Sequence, residues 1–340
     1  MKTLVTGEKM TNELGNQKKE ILFYYESRMN PNGDPGFENQ PRLMPDGTII
    51  VTDVRIKRTI RDYAKSKYKQ TLFVDFGEEG TPVKADERAK EILQNLDDVI
   101  KGLICKTFDV PLFGALVPIR SGSKGKGSSQ KLTGPVQFAI GRSVNQVEII
   151  NPLISGRFVG KEKKQESADE SQGEDQKTEQ FSTFGKFYAV DYALIKIQGI
   201  VNPINLGEYL DDPESAEAFR KAEEKLLPCL WEGTNALVTR SKFPQRSIFL
   251  LEVTYNSAIY NDLPVLVEEN PELKGKIRGL IASPLKFDKL VSALSSRKHK
   301  ITNVKVASCR ELANDATQLV DCIRKIGIPV ELIQTEDTST

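Results

Sequence analysis

The chain has one histidine, one tryptophan and four cysteines among 340 residues. With only His299, no two-histidine metal site can form within one chain. A serine- or cysteine-based triad would have to use that same residue. His299 lies in Arg297-Lys298-His299-Lys300, with no nucleophile near it, and reads as an exposed side chain. Trp231 reads as a packing residue rather than a ligand contact. The cysteines (Cys105, Cys229, Cys309, Cys322) are scattered and form no C-x-x-C. That argues against a disulfide framework and a thiolate zinc site, and for a cytoplasmic setting with reduced thiols. No apolar run reaches about 18 residues, so no membrane-spanning helix is expected. The polar N-terminal stretch lacks the apolar segment of a secretory signal. A charge excess is missing too: 48 Lys and Arg face 47 Asp and Glu, for a net charge of +1. A uniformly basic nucleic-acid protein is excluded, but a locally basic one is not.

What is present reads as α+β: a β-α-β-β-α-β, ferredoxin-like core with large insertions, in a single domain. Residues 1–19 read as a flexible leader. Residues 20–28, rich in aromatic and branched side chains, read as a strand. It leaves through the turn formers Asn30-Pro-Asn-Gly-Asp-Pro35. A helix opens at Thr52-Asp53, either of which can cap it. Val54, Ile56, Ile60 and Tyr63 supply its buried face. Further helices are expected at 84–104, 211–227, 284–295 (opened by Ser283-Pro284) and 310–326. Strands are expected at 134–141, 187–201, 247–255, 303–307 and 327–333. Residues 161–180 hold one alanine and no larger apolar side chain, with four lysines against seven acids. Such a segment cannot offset its chain entropy and reads as a disordered tip. Apolar arms flank it (Ile149, Ile150, Leu153, Ile154 and Phe158 before; Phe181, Phe184 and Phe187 after), which suggests a projecting hairpin.

Positive charge is concentrated locally. From Asp53 to Lys69 there are seven basic residues (Arg55, Lys57, Arg58, Arg61, Lys65, Lys67, Lys69) against Asp53 and Asp62. Lys57 and Arg61 fall four apart and so share a helix face. Their rise of about 6 Å suits successive phosphates of one strand. The bland alternative is a solvated basic face. The preceding Gly/Asn/Pro loop and the helix N-terminus favour anion binding. A second candidate is the Gly/Ser/Lys loop 119–131, with Arg120, Lys124, Lys126 and Lys131 and no acid. It matches no phosphate-binding G-x-x-x-x-G-K-[S/T] pattern and reads either as a basic strap on a phosphate backbone or as a linker. A third is Thr239-Arg-Ser-Lys-Phe-Pro-Gln-Arg246, where Arg240, Lys242 and Arg246 crowd before a strand. Asp34 and Asp53 are the acidic candidates for catalysis, but they read more simply as a turn former and a cap. No converging oxygen ligands for a metal are visible, and no cofactor is expected.

Several of these segments resemble one family in the same order. They are Asn30-Pro-Asn-Gly-Asp-Pro35, Asn39-Gln-Pro-Arg42, Thr52 through Asp62, Asp109-Val-Pro-Leu-Phe-Gly114, Gly134-Pro-Val-Gln-Phe138 with Gly141-Arg142-Ser143, Phe184-Gly-Lys-Phe-Tyr188 with Tyr192-Ala193-Leu194, and Thr239-Arg-Ser-Lys242. Together they resemble the CRISPR-associated backbone subunit of type I Cascade complexes, the "seven" family of the RAMP superfamily. The Thr-Arg-Ser-Lys element is more similar to the I-B branch than to I-C. The resemblance spans roughly residues 20–256, and 257–340 carry no assigned motif. It implies a modified RNA-recognition palm, a helical fingers insertion at about 64–132 and a thumb hairpin at about 144–183. It implies a filament of copies along one guide RNA (crRNA), with other Cascade subunits and with target DNA engaged through the guide. Base pairing then supplies the sequence specificity. It marks Thr52, Lys57, Arg58 and Arg61 for RNA phosphates; with the motif residues and the basic loop, the set expected to contact RNA is Asn30, Asn32, Arg42, Thr52, Arg55, Lys57, Arg58, Arg61, Lys124, Lys126, Gln137, Arg142, Arg240 and Lys242. Ile154, Phe158 and Phe181 either wedge against a displaced base or form hairpin core.

Three rivals remain. A type III style backbone subunit cuts bound RNA with a loop aspartate, here Asp34. A guide-processing nuclease of the same superfold normally needs a general base, which one poorly placed histidine makes hard to supply. The third is a scaffold without RNA contact.

Overall fold

The computed structural model describes residues 14–76, 81, 83–93, 98–119, 128–151, 154–157, 182–185 and 187–333. The basic strap with Lys124 and Lys126, the tip 161–180, and Phe158 and Phe181 lie outside the described residues, as does most of the leader. The architecture is mixed α+β around one large sheet. Strand β1 (Gln17–Ser27) begins three residues before the expected start and lies at the sheet's centre. The other strands are β2 (Ile50–Val51), β5 (Val136–Phe138), β6 (Gly141–Ser143), β9 (Ala193–Val201), β10 (Gln245–Asn256), β11 (Ile301–Ser308) and β12 (Val330–Leu332). The order is β12-β11-β10-β1-β9-β6-β2, with β5 also pairing to β9. Every pairing is antiparallel except β11 with β12.

Both faces of this sheet are buried. Alternate side chains of β1 enter two separate cores, as period-two geometry requires. Ile21, Phe23 and Tyr25 meet helices α1 (Asp53–Tyr68), α3 (Val99–Lys106) and α6 (Leu226–Asn235). Leu22 and Tyr24 meet α7 (Asp288–Ser296) and α8 (Ala313–Lys325). Trp231 packs edge-on to Phe23, with ring centres 6.3 Å apart. The segment beyond residue 256, for which no motif was assigned, thus supplies the two strands at one end of the sheet and the second helical layer.

Several expected boundaries shift. The single helix at 84–104 is two, α2 (Ala85–Ile92) and α3. Backbone at Leu93 turns extended, and Asp98 caps the new helix by accepting from Lys101 N at 2.9 Å. The helix expected at 211–227 is α5 (Pro213–Glu223), followed by the unforeseen α6. Pro228 sits in the first turn of α6, where no amide donor is needed. Ser283-Pro284 does not open a helix: Ser283 is left-handed, Leu285–Lys286 pairs with Glu268–Glu269, and α7 starts at Asp288. The loop 119–131 is narrower than expected, because β3 (Gly114–Ile119) and β4 (Ser128–Thr133) form a hairpin. A four-residue helix, α4 (Val110–Phe113), feeds β3 through Gly114 at φ +78°, where an added Cβ would lie 2.2 Å from the Leu132 carbonyl oxygen. The strand expected at 134–141 divides into β5 and β6. That expected at 187–201 breaks at Asp191, before β9. The arms of the expected hairpin do pair. β7 (Ile154–Arg157) is antiparallel to β8 (Ser182–Gly185), and Ile149–Ile150 to Ala189–Val190.

Asp212 ties α3 and α5 together. It caps α5 by accepting from Ser215 N at 2.9 Å and Oγ at 2.7 Å, and it meets Lys101 of α3 at 2.8 Å. The bonds from Lys101 and Ser215 hold its carboxyl down at about 2. A carboxyl whose folded pKa is depressed adds stability above its unfolded pKa and loses it as pH falls through the folded value. Asp212→Ala is therefore expected to cost about 1–2 kcal/mol at neutral pH. Urea unfolding at pH 7 and at about pH 3 checks this, with the wild-type advantage shrinking at the lower pH.

Candidate nucleic-acid interface

The first turn of α1 is built by the loop before it. Thr52 is the cap, its Oγ1 accepting from Arg55 N at 3.4 Å. Asn32 Oδ1 accepts from both Thr52 N, at 3.2 Å, and Thr52 Oγ1, at 2.9 Å. Asn32 and Asn30 are both buried. Asn30 Nδ2 donates to the Asn39 carbonyl, and Asn30 N donates to Ser241 O at 2.7 Å. These two asparagines, expected to touch RNA, fasten the loop to the helix and to the 239–244 turn, and Asn30 Oδ1 has no partner among the described residues.

That fastening brings the Thr-Arg-Ser-Lys turn beside α1. Arg55 bonds only to Thr59 Oγ1, at 3.1 Å, and to no carboxylate among the described residues. Lys242 bonds only to Ser241 Oγ, at 3.2 Å. Burial pushes the Lys242 ammonium below the usual lysine range, and Arg55 pushes it the same way. Burial likewise lowers Arg55. Tyr25 and Asp62 oppose that shift, and Arg58 adds to it. Two cations that repel each other while half out of water are costly unless an anion joins them. Beside them opens a cleft of about 490 Å³, lined by Asn30, Asn39, Tyr188, Arg240 and Lys242 among others. Arg240 is exposed. Tyr188, with its hydroxyl donating to Glu38 at 3.1 Å, was not singled out as a site residue in the sequence. Its place at the end of the hairpin's return arm was the available signal.

Further along α1, Lys57 meets Asp53 at 3.1 Å and Gln137 Oε1 at 3.3 Å. Gln137 is exposed and is held by donating to Gly134 O at 2.9 Å. Arg58 meets Asp62 at 2.5 Å and lies 4.5 Å from the Phe76 ring centre. The face assignment differs from expectation at two positions. Val54 is 67% exposed rather than buried. Arg61 is turned inward, its Nε donating to Asp109 Oδ2 at 2.8 Å. Asp109, 1% exposed, also accepts from Phe73 N at 2.7 Å and Val74 N at 3.0 Å. Arg61 is thus a structural residue, taken up by a carboxylate 48 positions away. Arg42 pairs with Asp34 at 3.3 Å. Arg142 is committed to Asp46 and to Thr48 Oγ1, the latter at 2.8 Å. Ile154 lies on β7 opposite Gly185. Asp34 holds its own turn by accepting from Gly36 N at 3.0 Å. Asp53 is not the cap but pairs with Lys57. Among the described residues no group of three His, Cys, Asp or Glu could hold a metal ion, and no helix is long and apolar enough to cross a membrane.

The chain is thus an α+β fold with half-buried cations that bond to no carboxylate among the described residues, gathered at one end of α1. The family model for CRISPR-associated protein Cas7 matches residues 16–279, and the chain belongs to that family. A CRISPR-associated protein Cas7 from Haloferax volcanii is 26% identical over 325 residues, covering 88% of each chain. Among solved structures, a chain of a CRISPR RNA-guided surveillance complex in a pre-nicking state is 13% identical. It covers 93% of this chain and 96% of that one, with a TM-score of 0.49. A chain of another CRISPR RNA-guided surveillance complex is 13% identical over 86% and 88%, with a TM-score of 0.46.

Proposed function

We propose that this chain is a crRNA-binding backbone subunit of a type I, I-B-like Cascade complex. Copies of it line the guide head to tail with other Cascade subunits in the cytoplasm, and the guide is presented to target DNA. The chain binds without cutting. The observation that carries the reading is Lys242, half-buried, repelled by Arg55 and without a carboxylate bond among the described residues, on a cleft that Arg240 also lines. Phosphates of a single strand supply the missing charge. Thr52 and Arg240 belong to this end of the track. Lys57, Arg58 and Gln137 continue it along α1, with Arg42 and Arg142 at its margin and Lys124 and Lys126 on the 119–131 strap.

The order β10-β1-β9-β5/β6, with α1 following β1 and α6 preceding β10, supports a ferredoxin-like palm. On it, 64–132 forms the fingers and 144–183 the thumb, with the residues before β1 as leader. The paired arms β7 and β8 support a thumb hairpin, with Ile154, Phe158 and Phe181 to wedge against a displaced base. Asp34 is occupied by its own turn and by Arg42, which favours binding over cleavage. The test is the 260/280 nm absorbance ratio of purified wild type and Arg240→Ala/Lys242→Ala, with sequencing of co-purifying RNA. RNA-laden wild type and a clean variant are expected. Two nucleic-acid-free proteins, with no salt-dependent binding to added single-stranded RNA, would move the reading to a scaffold.

A further inference from the structure

The loop at 33–41 is a small hairpin, Gly33–Asp34 pairing with Gln40–Pro41. Its tip is tightly pinned. Phe37 N and Asn39 N both donate to Asp34 O, at 3.0 and 2.9 Å, and Gln40 N donates to Phe37 O at 2.8 Å. Glu38 and Asn39 adopt left-handed backbone at φ 50° and 57°, a conformation side chains other than glycine adopt at a cost. All this order serves to hold Phe37 70% exposed. With its backbone pinned, the exposed ring has already met part of the entropic cost of contacting something. Behind it runs a groove of about 370 Å³ lined by Phe37, Pro41, Arg42, Leu43, Met44 and Ile50. Leu43 is 51% exposed. Arg42 Nε is buried and without a partner.

Resting on the guide-binding reading, we infer that this groove seats one nucleobase of the bound RNA strand, stacked on Phe37, with Arg42 donating to it or to its phosphate. The groove lies across the 33–41 loop from the cation cleft: Glu38 and Asn39 line one side of that loop, Phe37 and Gln40 the other. The slot also holds Asp34, which pairs with Arg42 at 3.3 Å, and Gln40; its ring, apolar neighbours and guanidinium suit a base's face and edge, and stacking is indifferent to base identity, as a coat on any guide requires. A second copy of the chain is the competing occupant.

The test uses the full-length wild type, Phe37→Ala and Phe37→Trp with fluorescent single-stranded RNA and with 5-iodouridine RNA for photocrosslinking. Because Phe37 is exposed, neither substitution should lower the thermal midpoint. Phe37→Ala is expected to bind about tenfold more weakly with an unchanged slope of affinity against salt, since no phosphate contact is lost. Phe37→Trp should restore binding, and wild-type crosslinks should map to 33–44 and vanish in Phe37→Ala. Equal affinity of wild type and Phe37→Ala, with no crosslink in that segment, overturns the inference and leaves guide binding standing. So does a fall in RNA-free oligomeric mass at unchanged affinity, which assigns the groove to a second copy. Failure of wild type to bind any RNA overturns the underlying reading and this one together.

Discussion

Asp109→Ala is expected to destabilise the fold by about 3–5 kcal/mol, because it leaves the Arg61 guanidinium buried without a counter-ion. It also orphans the amides of Phe73 and Val74, which donate to the same carboxylate. A loss of that size is a large share of the stability of an ordinary domain. Urea midpoints measure it. Arg61→Met/Asp109→Leu should recover part of the loss, since removing both charges spares the unpaired ion, while the two amides stay unsatisfied. A cost below about 1 kcal/mol for Asp109→Ala would contradict the inward placement of Arg61. Arg61→Ala is in turn expected to lose RNA binding by unfolding, which a circular-dichroism melt separates from loss of contact.

Arg240→Ala/Lys242→Ala is expected to act in the opposite way. Charge-assisted hydrogen bonds are worth about 1.5–3 kcal/mol each, so losing two weakens binding to single-stranded RNA about 100-fold or more. Each lost phosphate contact lowers the slope of log affinity against log salt by about 0.7, or about 1.4 for the pair. The thermal midpoint should hold or rise, because Lys242 is half-buried against Arg55 and its removal relieves that repulsion. Anisotropy titrations between about 50 and 200 mM salt, alongside melts, test both halves. Unchanged affinity and slope would remove these residues from the RNA track.

The features legible in the sequence were those decided within a few residues. Thr52 followed by an apolar and basic pattern places α1 to within one residue, because a cap and its first turn are local. The fates of Val54 and Arg61 were not legible. Burial of Arg61 depends on Asp109, which only the folded chain brings to it, and a charge on a helix reads as exposed until its partner is known. Asn30 and Asn32 were legible as turn formers, but the bonds by which they fasten the loop to α1 and to the 239–244 turn were not. α6 was hidden by Pro228 and by Gly233-Thr234-Asn235, which read as punctuation although the proline falls in a permissive first turn. The layer formed by α7 and α8 follows from continuous burial of Glu20 through Tyr25, a two-faced strand that needs cover on each side. Phe37 escaped notice because exposure and backbone pinning are properties of the fold.

The central claim is that copies of this chain coat a guide irrespective of its sequence. Native mass spectrometry of the full chain on single-stranded RNAs of increasing length and unrelated sequence tests it most directly. The number of bound copies is expected to rise in even steps with RNA length and to be the same for every sequence of a given length. One copy at every length, or binding confined to one sequence, would contradict it.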